Sequence, residues 1–162
     1  MKLKTYEIQK KPGYRAVGLM WEGPWSEIGK LKSTIQTMNE RVVELEQAVD
    51  SAMQLGLSYH TRQDGFTHYS VYEVTEEQAI PDGMVELRVP EMTYLVVSHL
   101  KGENIGNTYQ SISQWLAESE YKPFVESGRT YHDPLPIKHE RYPHNRDLED
   151  PHFEIWIPVE KK

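Results

Sequence analysis

The sequence contains no cysteine in 162 residues. The chain therefore has no disulfide, no thiolate nucleophile and no cysteine-ligated metal, a composition compatible with the reducing cytoplasm. It also lacks any uninterrupted apolar run of membrane-spanning length, and the lysines of the N-terminal "MKLKTYEIQKK" are not followed by the apolar core of a signal peptide. These absences predict a soluble, unexported protein of the cytoplasm with no membrane partner.

Positive charge is also scarce, because 18 Lys and Arg residues stand against 25 Asp and Glu residues and give a formal net charge of -7. This balance argues against direct nucleic-acid binding and favours cationic ligands. With 38% hydrophobic and 27% charged residues, the composition is that of a compact globular domain. The length fits one domain, or two small and similar halves fused together.

The order strand, helix, strand, strand occurs twice along the chain. In the first half, residues 1–80, an extended segment broken at Pro12 precedes a helix and two strand-like runs. In the second half, residues 81–162, a strand-like segment with a proline break precedes a shorter helix capped by Asn104, and two strands follow. The repeat predicts one α+β domain over residues 1–162, with an antiparallel sheet, both helices on one side and a central ligand groove between the sheet faces left over.

The first helix carries a long apolar stripe. It is predicted to begin after a cap at Ser26 and to continue, as one helix or as two in succession within residues 26–55, to a stop at Gly56. Its apolar residues recur at steps of three and four: Ile28, Leu31, Ile35, Met38, Val42, Leu45 and Val49. We interpret the stripe as core-facing because the strands on both sides need covering. The alternative is the seam of a coiled-coil homodimer.

The C-terminal segment "DPHFEIWIPVEKK" places one carboxylate inside an apolar strand. Alternation at period two puts Phe153, Ile155 and Ile157 on one face, and Glu154 and Trp156 on the other. Taken alone, this second face is an ordinary solvated sheet surface. If the leftover sheet faces form a groove, the acid and the indole point into it.

The repeat extends this expectation to the first half of the chain. The segment "HYSVYEV" stands in the first half where "HFEIWIPV" stands in the second. Aligning the two segments matches Ser70 with Glu154 and Tyr72 with Trp156. Ser70 and Tyr72 are therefore predicted to face the same groove.

The chain resembles the GyrI-like effector-binding domains, which also occur attached to AraC-type and multidrug-sensing transcription regulators. The resemblance rests on the duplicated order of elements, on the strand "YSVYEV", on "YHDPLPIKHERYP" and above all on the terminal "FEIWIPV". It implies a double unit with a central groove that takes flat, often cationic, hydrophobic molecules against an acidic residue and aromatic walls.

Site residues follow from the resemblance. Glu154 is similar in position to the groove acid of that family and Trp156 to a groove aromatic, and Tyr72, Glu140 and Tyr142 are transferred on the same ground. No helix-turn-helix segment precedes the first strand, so the resemblance implies a stand-alone domain that senses or sequesters hydrophobic or cationic small molecules. No cofactor is implied.

Three alternatives belong to other functional classes. Some GyrI-like proteins hydrolyse strained rings, a reaction in which Glu154 would act as general base. Others inhibit a macromolecular partner by binding it. Metal binding is a further alternative, because the C-terminal third contains histidines and carboxylates, but their spacing matches no helical two-histidine motif and we predict no metal site. The residues concerned are His132, Asp133, His139, His144, Asp147, Glu149, Asp150 and His152.

Overall fold

The computed structural model describes residues 5–147 and 149–162. Within these residues the chain forms nine β-strands and two α-helices. The first half contains β1 Tyr6–Lys11, β2 Tyr14–Pro24, α1 Ile28–Arg41, β3 Met53–Tyr59 and β4 Gly65–Val74. The second half contains β5 Val85–Val89, β6 Met92–His99, α2 Ile105–Glu118, β7 Tyr121–Pro123, β8 Ile137–Pro143 and β9 Phe153–Lys161. The predicted α+β class and the repeated order of elements are confirmed.

All of these strands join one antiparallel sheet in which the two halves exchange their first strands. The order is β1-β6-β9-β8-β3-β4-β2-β5, with the short β7 paired to β9. Strand β1 pairs with β6 of the second half, and β5 pairs with β2 of the first. Strands β1 and β5 end beside Pro12 and Pro90, because proline has no N–H to continue a strand ladder.

Both helices cover the same face of the sheet, which we call the helix face. Helix α1 buries Leu31 and Met38 against β2 and β4. Helix α2 buries Ile112 and Leu116 against β6 and β9. The side chain of Asn104 accepts a hydrogen bond from the backbone N–H of Asn107 at 3.1 Å, so the predicted cap of α2 is confirmed.

The first helix ends earlier than its apolar stripe predicted. Helix α1 ends at Arg41 and a single 3-10 turn follows at Val42–Glu44, whereas Gly56 lies inside β3. The predicted stop at Gly56 is wrong because the chain turns back toward the sheet, where the N–H of Val49 donates to the carbonyl of Glu73 at 2.8 Å. The predicted Ser26 cap is also wrong, since Trp25–Glu27 forms a 3-10 turn ahead of the helix.

The opposite side of the sheet, which we call the inner face, curls onto itself. Lys11 of β1, at one end of the strand order, forms an ion pair with Glu73 of β4, near the other end, at 3.2 Å. The concave surface is filled by apolar and aromatic side chains. Its buried members are Ala16, Leu55, Leu57, Tyr59, Val71, Val89 and Ile137.

Substituting Gly18 tests the close approach of β2 and β4. A Cβ atom at Gly18 would lie 2.1 Å from the carbonyl oxygen of Ser70, so backbone must move to admit it. We expect Gly18→Ala to lower the free energy of unfolding by about 2 kcal/mol or more. The matched control is Gly29→Ala in α1, because a Cβ atom at Gly29 would have no other atom within 4 Å. There alanine should raise the free energy of unfolding by about 0.5–1 kcal/mol. Urea denaturation measures both, and equal effects would contradict the strand register.

Candidate functional site

Glu154 and Trp156 lie on the inner face, as the period-two pattern predicts. Phe153, Ile155 and Ile157 are buried on the opposite side, against α2. The Glu154 side chain is 48% exposed, and its Oε1 accepts a hydrogen bond from Trp156 Nε1 at 3.2 Å. The two groups therefore share a face and contact one another.

The surroundings of Trp156 leave almost no room for a ligand. Tyr94 packs edge-on against its indole at 5.4 Å between ring centroids, and His139 lies against Tyr94 at 5.6 Å. The guanidinium of Arg141 lies 5.2 Å from the indole centroid and 3.9 Å from the Glu154 carboxylate. The empty space beside these groups is about 10 Å³, roughly the room that one water needs. The groove predicted between the leftover sheet faces is thus filled, because the sheet curls.

Ser70 and Tyr72 lie on the helix face, not beside Glu154. Tyr72 is fully buried in the core under α1, and Ser70 accepts or donates a hydrogen bond to His68 at 3.2 Å. Their predicted placement in the same groove as Glu154 is wrong. The alignment of the two halves was displaced by one residue, and because side chains alternate, a one-residue displacement moves a residue to the opposite face.

Glu140 and Tyr142 of β8 also point to the helix face. Strands β3 and β8 pair at the centre of the sheet, where the first half meets the second, and the helical cores of α1 and α2 lie to either side. A cleft of about 320 Å³ opens here. Its lining residues come from α1 and from the end of β8 with the turn after it: Lys32, Ile35, Gln36, Asn39, Tyr142, Pro143, His144 and Arg146.

Two phenols hold the Glu140 carboxylate, and one of them belongs to Tyr142, which lines the cleft. Tyr109 of α2 donates a hydrogen bond to Oε2 and Tyr142 donates one to Oε1. Burial raises the pKa of the Glu140 carboxyl above its usual value, while the two hydrogen bonds and the charge of Lys138 act in the opposite direction. Burial, together with the Glu140 charge, raises the pKa of both tyrosines, so both remain hydrogen-bond donors. A partly buried carboxyl with two donors is thus positioned behind the aromatic wall of the cleft.

A second polar group extends along the same side of the cleft. The phenol of Tyr72 lies 2.7 Å from His144 Nε2 and receives a hydrogen bond from Gln54 Nε2 at 3.3 Å. Among the described residues, Gln54 Oε1 is buried without a hydrogen-bond partner.

Arg146 lines the cleft and lies over its aromatic wall. Its guanidinium carbon lies 4.1 Å from the centroid of the Tyr142 ring, within the range of a cation–π interaction. Burial lowers the pKa of Arg146 from its usual value, because a charged group is less stable away from water. The aromatic wall of the cleft is therefore covered by a cation of the chain itself.

The sequence predicted only part of this arrangement. Glu140 and Tyr142 were among the predicted residues, but Tyr109, Gln54 and Arg146 were not. Tyr109 lies in the segment predicted as the second helix and Gln54 in the segment predicted as the first, and no motif singled out either residue. No sequence signal marked Arg146, because its partner is set by the turn that follows β8.

Another hollow, of about 400 Å³, opens at the rim of the inner face. Its carboxylates are already engaged, since Glu22 lies 3.6 Å from Arg62 and Glu126 lies 3.2 Å from Arg129. Neither of these carboxylates is held by two phenols, as Glu140 is beside the cleft on the helix face. The cleft on the helix face is therefore the stronger candidate.

The histidines and carboxylates considered for a metal site do not come together. Within residues 5–147 and 149–162, no three His, Cys, Asp or Glu side chains are grouped so that they could hold a metal ion. His139 is buried on the inner face and His144 contacts Tyr72, so the histidines considered for such a site are dispersed. In the same part of the chain, no helix has the length and apolar character that crossing a membrane requires.

The sheet with its two helices and the cleft between the halves define a duplicated effector-binding fold. The chain belongs to the GyrI-like small molecule binding domain family, whose model matches residues 4–160. A curated relative, the transcriptional regulator BrlR of Pseudomonas aeruginosa, is 29% identical over 135 residues, which are 78% of this chain and 47% of that protein. The chain thus matches about half the length of that regulator.

Solved structures show the same fold. The C-terminal domain of EcmrR superposes with a TM-score of 0.69 at 16% identity, covering 99% of this chain and 100% of that domain. The structure of SAV2435 bound to tetraphenylphosphonium has a TM-score of 0.64 at 14% identity and covers 96% of this chain and 94% of that one. At these identities the similarity concerns the fold.

The raised pKa of Glu140 predicts a pH-dependent stability. A folded-state pKa above the unfolded value, near 4.5, means that ionisation opposes folding as the pH rises past that value. Glu140→Gln removes the ionisable carboxyl and with it this dependence on pH. The free energy of unfolding of the variant should therefore increase relative to the unsubstituted protein from acid to neutral pH, by about 1.4 kcal/mol for each unit of pKa shift. Urea denaturation over this range measures the difference, and one that is constant with pH would contradict it.

Proposed function

We propose that this domain binds amphipathic aromatic cations in the helix-face cleft and thereby senses or sequesters them. One observation carries the proposal. The Glu140 carboxyl accepts hydrogen bonds from the phenols of Tyr109 and Tyr142, and Tyr142 lines the open cleft. A carboxyl and an aromatic face at one place match a ligand that combines positive charge with a ring.

The size of the cleft fits a small organic molecule. Its volume of about 320 Å³ lies at the lower end of the range for ligand pockets, about 300–1,000 Å³. Ile35 supplies apolar surface, whereas Gln36 and Asn39 supply polar groups at the mouth. A flat ring would stack on Tyr142 with its edge toward α1.

For a cation to bind, its attraction to Glu140 must exceed its repulsion by Lys32 and Arg146, which line the cleft. A positive charge about 7 Å from the carboxylate gains roughly 2 kcal/mol at an effective dielectric of about 20, before desolvation is subtracted. Stacking on Tyr142 adds about 0.5–2 kcal/mol. Micromolar binding requires about 8 kcal/mol, so apolar burial must supply the remainder. The ligand is therefore amphipathic rather than simply charged.

The relatives support this class of ligand and a role in sensing. The structure of SAV2435 is bound to tetraphenylphosphonium, an aromatic cation, and BrlR is a transcriptional regulator. We infer that ligand binding by this domain is coupled to a transcriptional response or removes the ligand from solution. The domain itself, with its net charge of -7, is not expected to contact nucleic acid directly.

Matched carboxylate variants test the position of the site. N-methylacridinium and the neutral parent acridine, at mildly alkaline pH, differ mainly in charge. We expect Glu140→Gln to lower the affinity for N-methylacridinium about tenfold or more, because the cation interacts strongly with the carboxylate. The affinity for neutral acridine should change little. Glu154→Gln, on the inner face, should leave both affinities unchanged. Titration calorimetry measures the affinities and circular dichroism confirms folding.

The opposite outcome would return the site to the inner face. Loss of cation affinity in Glu154→Gln and in Trp156→Ala, with Glu140→Gln unaffected, would support the sequence-based prediction for Glu154 and Trp156. Equal affinity of the unsubstituted protein for the charged and the neutral ring would contradict the electrostatic proposal itself.

Hydrolysis is a second candidate function, favoured by the raised pKa of the Glu140 carboxyl. A carboxylate with a raised pKa is a better general base, and it could take a proton from a water that attacks a bound electrophile. The phenols of Tyr109 and Tyr142 already occupy both of its oxygens. We therefore expect aromatic epoxides and esters to be recovered unchanged by chromatography. Product formation that disappears in Glu140→Gln would instead establish the hydrolase.

A further inference from the structure

Arg146 is held over the cleft by a turn with fixed backbone contacts. The N–H of Arg146 donates to the carbonyl of Pro143 at 3.2 Å, and the N–H of His144 donates to the carbonyl of Ala52 at 3.0 Å. The turn therefore follows directly from the end of β8, whose last residues include Tyr142. This connection places the guanidinium 4.1 Å from the Tyr142 ring centroid.

Arg146 differs from every other arginine of the chain in its partners. Each of the others has a carboxylate oxygen within 4.0 Å, and these residues are Arg15, Arg41, Arg62, Arg88, Arg129 and Arg141. In the described part of the chain, no carboxylate oxygen lies within 4.0 Å of the Arg146 guanidinium. The guanidinium instead contacts the face of the Tyr142 ring. The charge of Glu140 acts from a greater distance to raise the pKa of Arg146. The partly buried guanidinium therefore rests on an aromatic surface with a carboxylate nearby but without a direct ion pair.

We propose that Arg146 determines the ligand specificity of the cleft by occupying the place of the ligand's positive charge. The guanidinium lies on the Tyr142 face, where a cationic ring would stack, and it is the chain's own competitor for that position. This inference rests on the proposed function, because it takes the Tyr142 face as the binding surface.

Two consequences for ligands follow from this arrangement. A cationic ring must displace the guanidinium or bind beside it, so it loses affinity through repulsion and through the lost contact with Tyr142. A larger amphipathic cation offsets this loss by burying more apolar surface against Ile35 and the stem of Lys32. Arg146 therefore selects against small flat monocations and affects neutral rings of the same shape much less.

Substituting Arg146 tests the inference directly. We expect Arg146→Gln to bind N-methylacridinium about tenfold more tightly than the unsubstituted protein and to bind neutral acridine with little change. Arg146→Lys keeps a positive charge over the ring and should bind the cation much as the unsubstituted protein does. Titration calorimetry gives the affinities, and thermal unfolding confirms that each variant is folded.

The chain offers a matched control in Arg141. Its guanidinium lies 5.2 Å from the Trp156 ring on the inner face, so Arg141→Gln removes the same charge from a second arginine–aromatic pair. We expect no change in N-methylacridinium affinity there, which excludes a general effect of net charge. Equal gains in the two variants, or weaker cation binding by Arg146→Gln, would overturn the inference.

Failure of this inference is distinct from failure of the proposed function. If Glu140→Gln lowers the affinity for N-methylacridinium whereas Arg146→Gln leaves that affinity unchanged, the cleft is the site and Arg146 does not compete with the ligand for it. If no variant on the helix face changes the affinity for either acridine, the cleft is not the site, and both proposals fail together.

Discussion

The pairing of β3 with β8 is the contact on which the cleft depends. These strands lie at the centre of the sheet and join the two halves, with Gly56 opposite Glu140. A Cβ atom at Gly56 would lie 2.6 Å from the ring of Tyr142, so the glycine allows that ring to lie flat across the neighbouring strand. The Tyr142 phenol thereby reaches the Glu140 carboxyl. Both the aromatic wall and the acid behind it are set by this register.

Strand exchange makes the two halves one structural unit around that contact. Because β1 pairs with β6 and β5 pairs with β2, each half completes the sheet of the other. The cleft draws on both halves, since α1 contributes Lys32 and Ile35 and the second half contributes Tyr142 and Arg146. The cleft therefore lies where the two halves meet.

The misplacement of Ser70 and Tyr72 comes from the register in which the two halves were compared. Matching "HYSVYEV" with "HFEIWIPV" letter by letter placed Ser70 with Glu154, whereas the strands place Ser70 on the helix face and Glu154 on the inner face. The sequence strongly suggested that these strands are equivalent, and they are. It contained no information on which residues of the two strands are equivalent. Apolar and polar residues alternate equally well whether the two segments are matched letter by letter or with a shift of one residue.

Local physics determined much of this protein directly from its sequence. The proline breaks, the Asn104 cap and the alternation of Phe153, Ile155 and Ile157 with Glu154 and Trp156 each depend on neighbours along the chain, and each is present in the structure. Tertiary structure alone decided which sheet face is open. The inner face is filled around Glu154 and Trp156 because the sheet curls until Lys11 meets Glu73, whereas on the helix face a cleft remains open between α1 and the turn after β8. Curvature and strand order arise from contacts between residues far apart in sequence, so the meeting of Glu140, Tyr109, Tyr142 and Arg146 had no local signal.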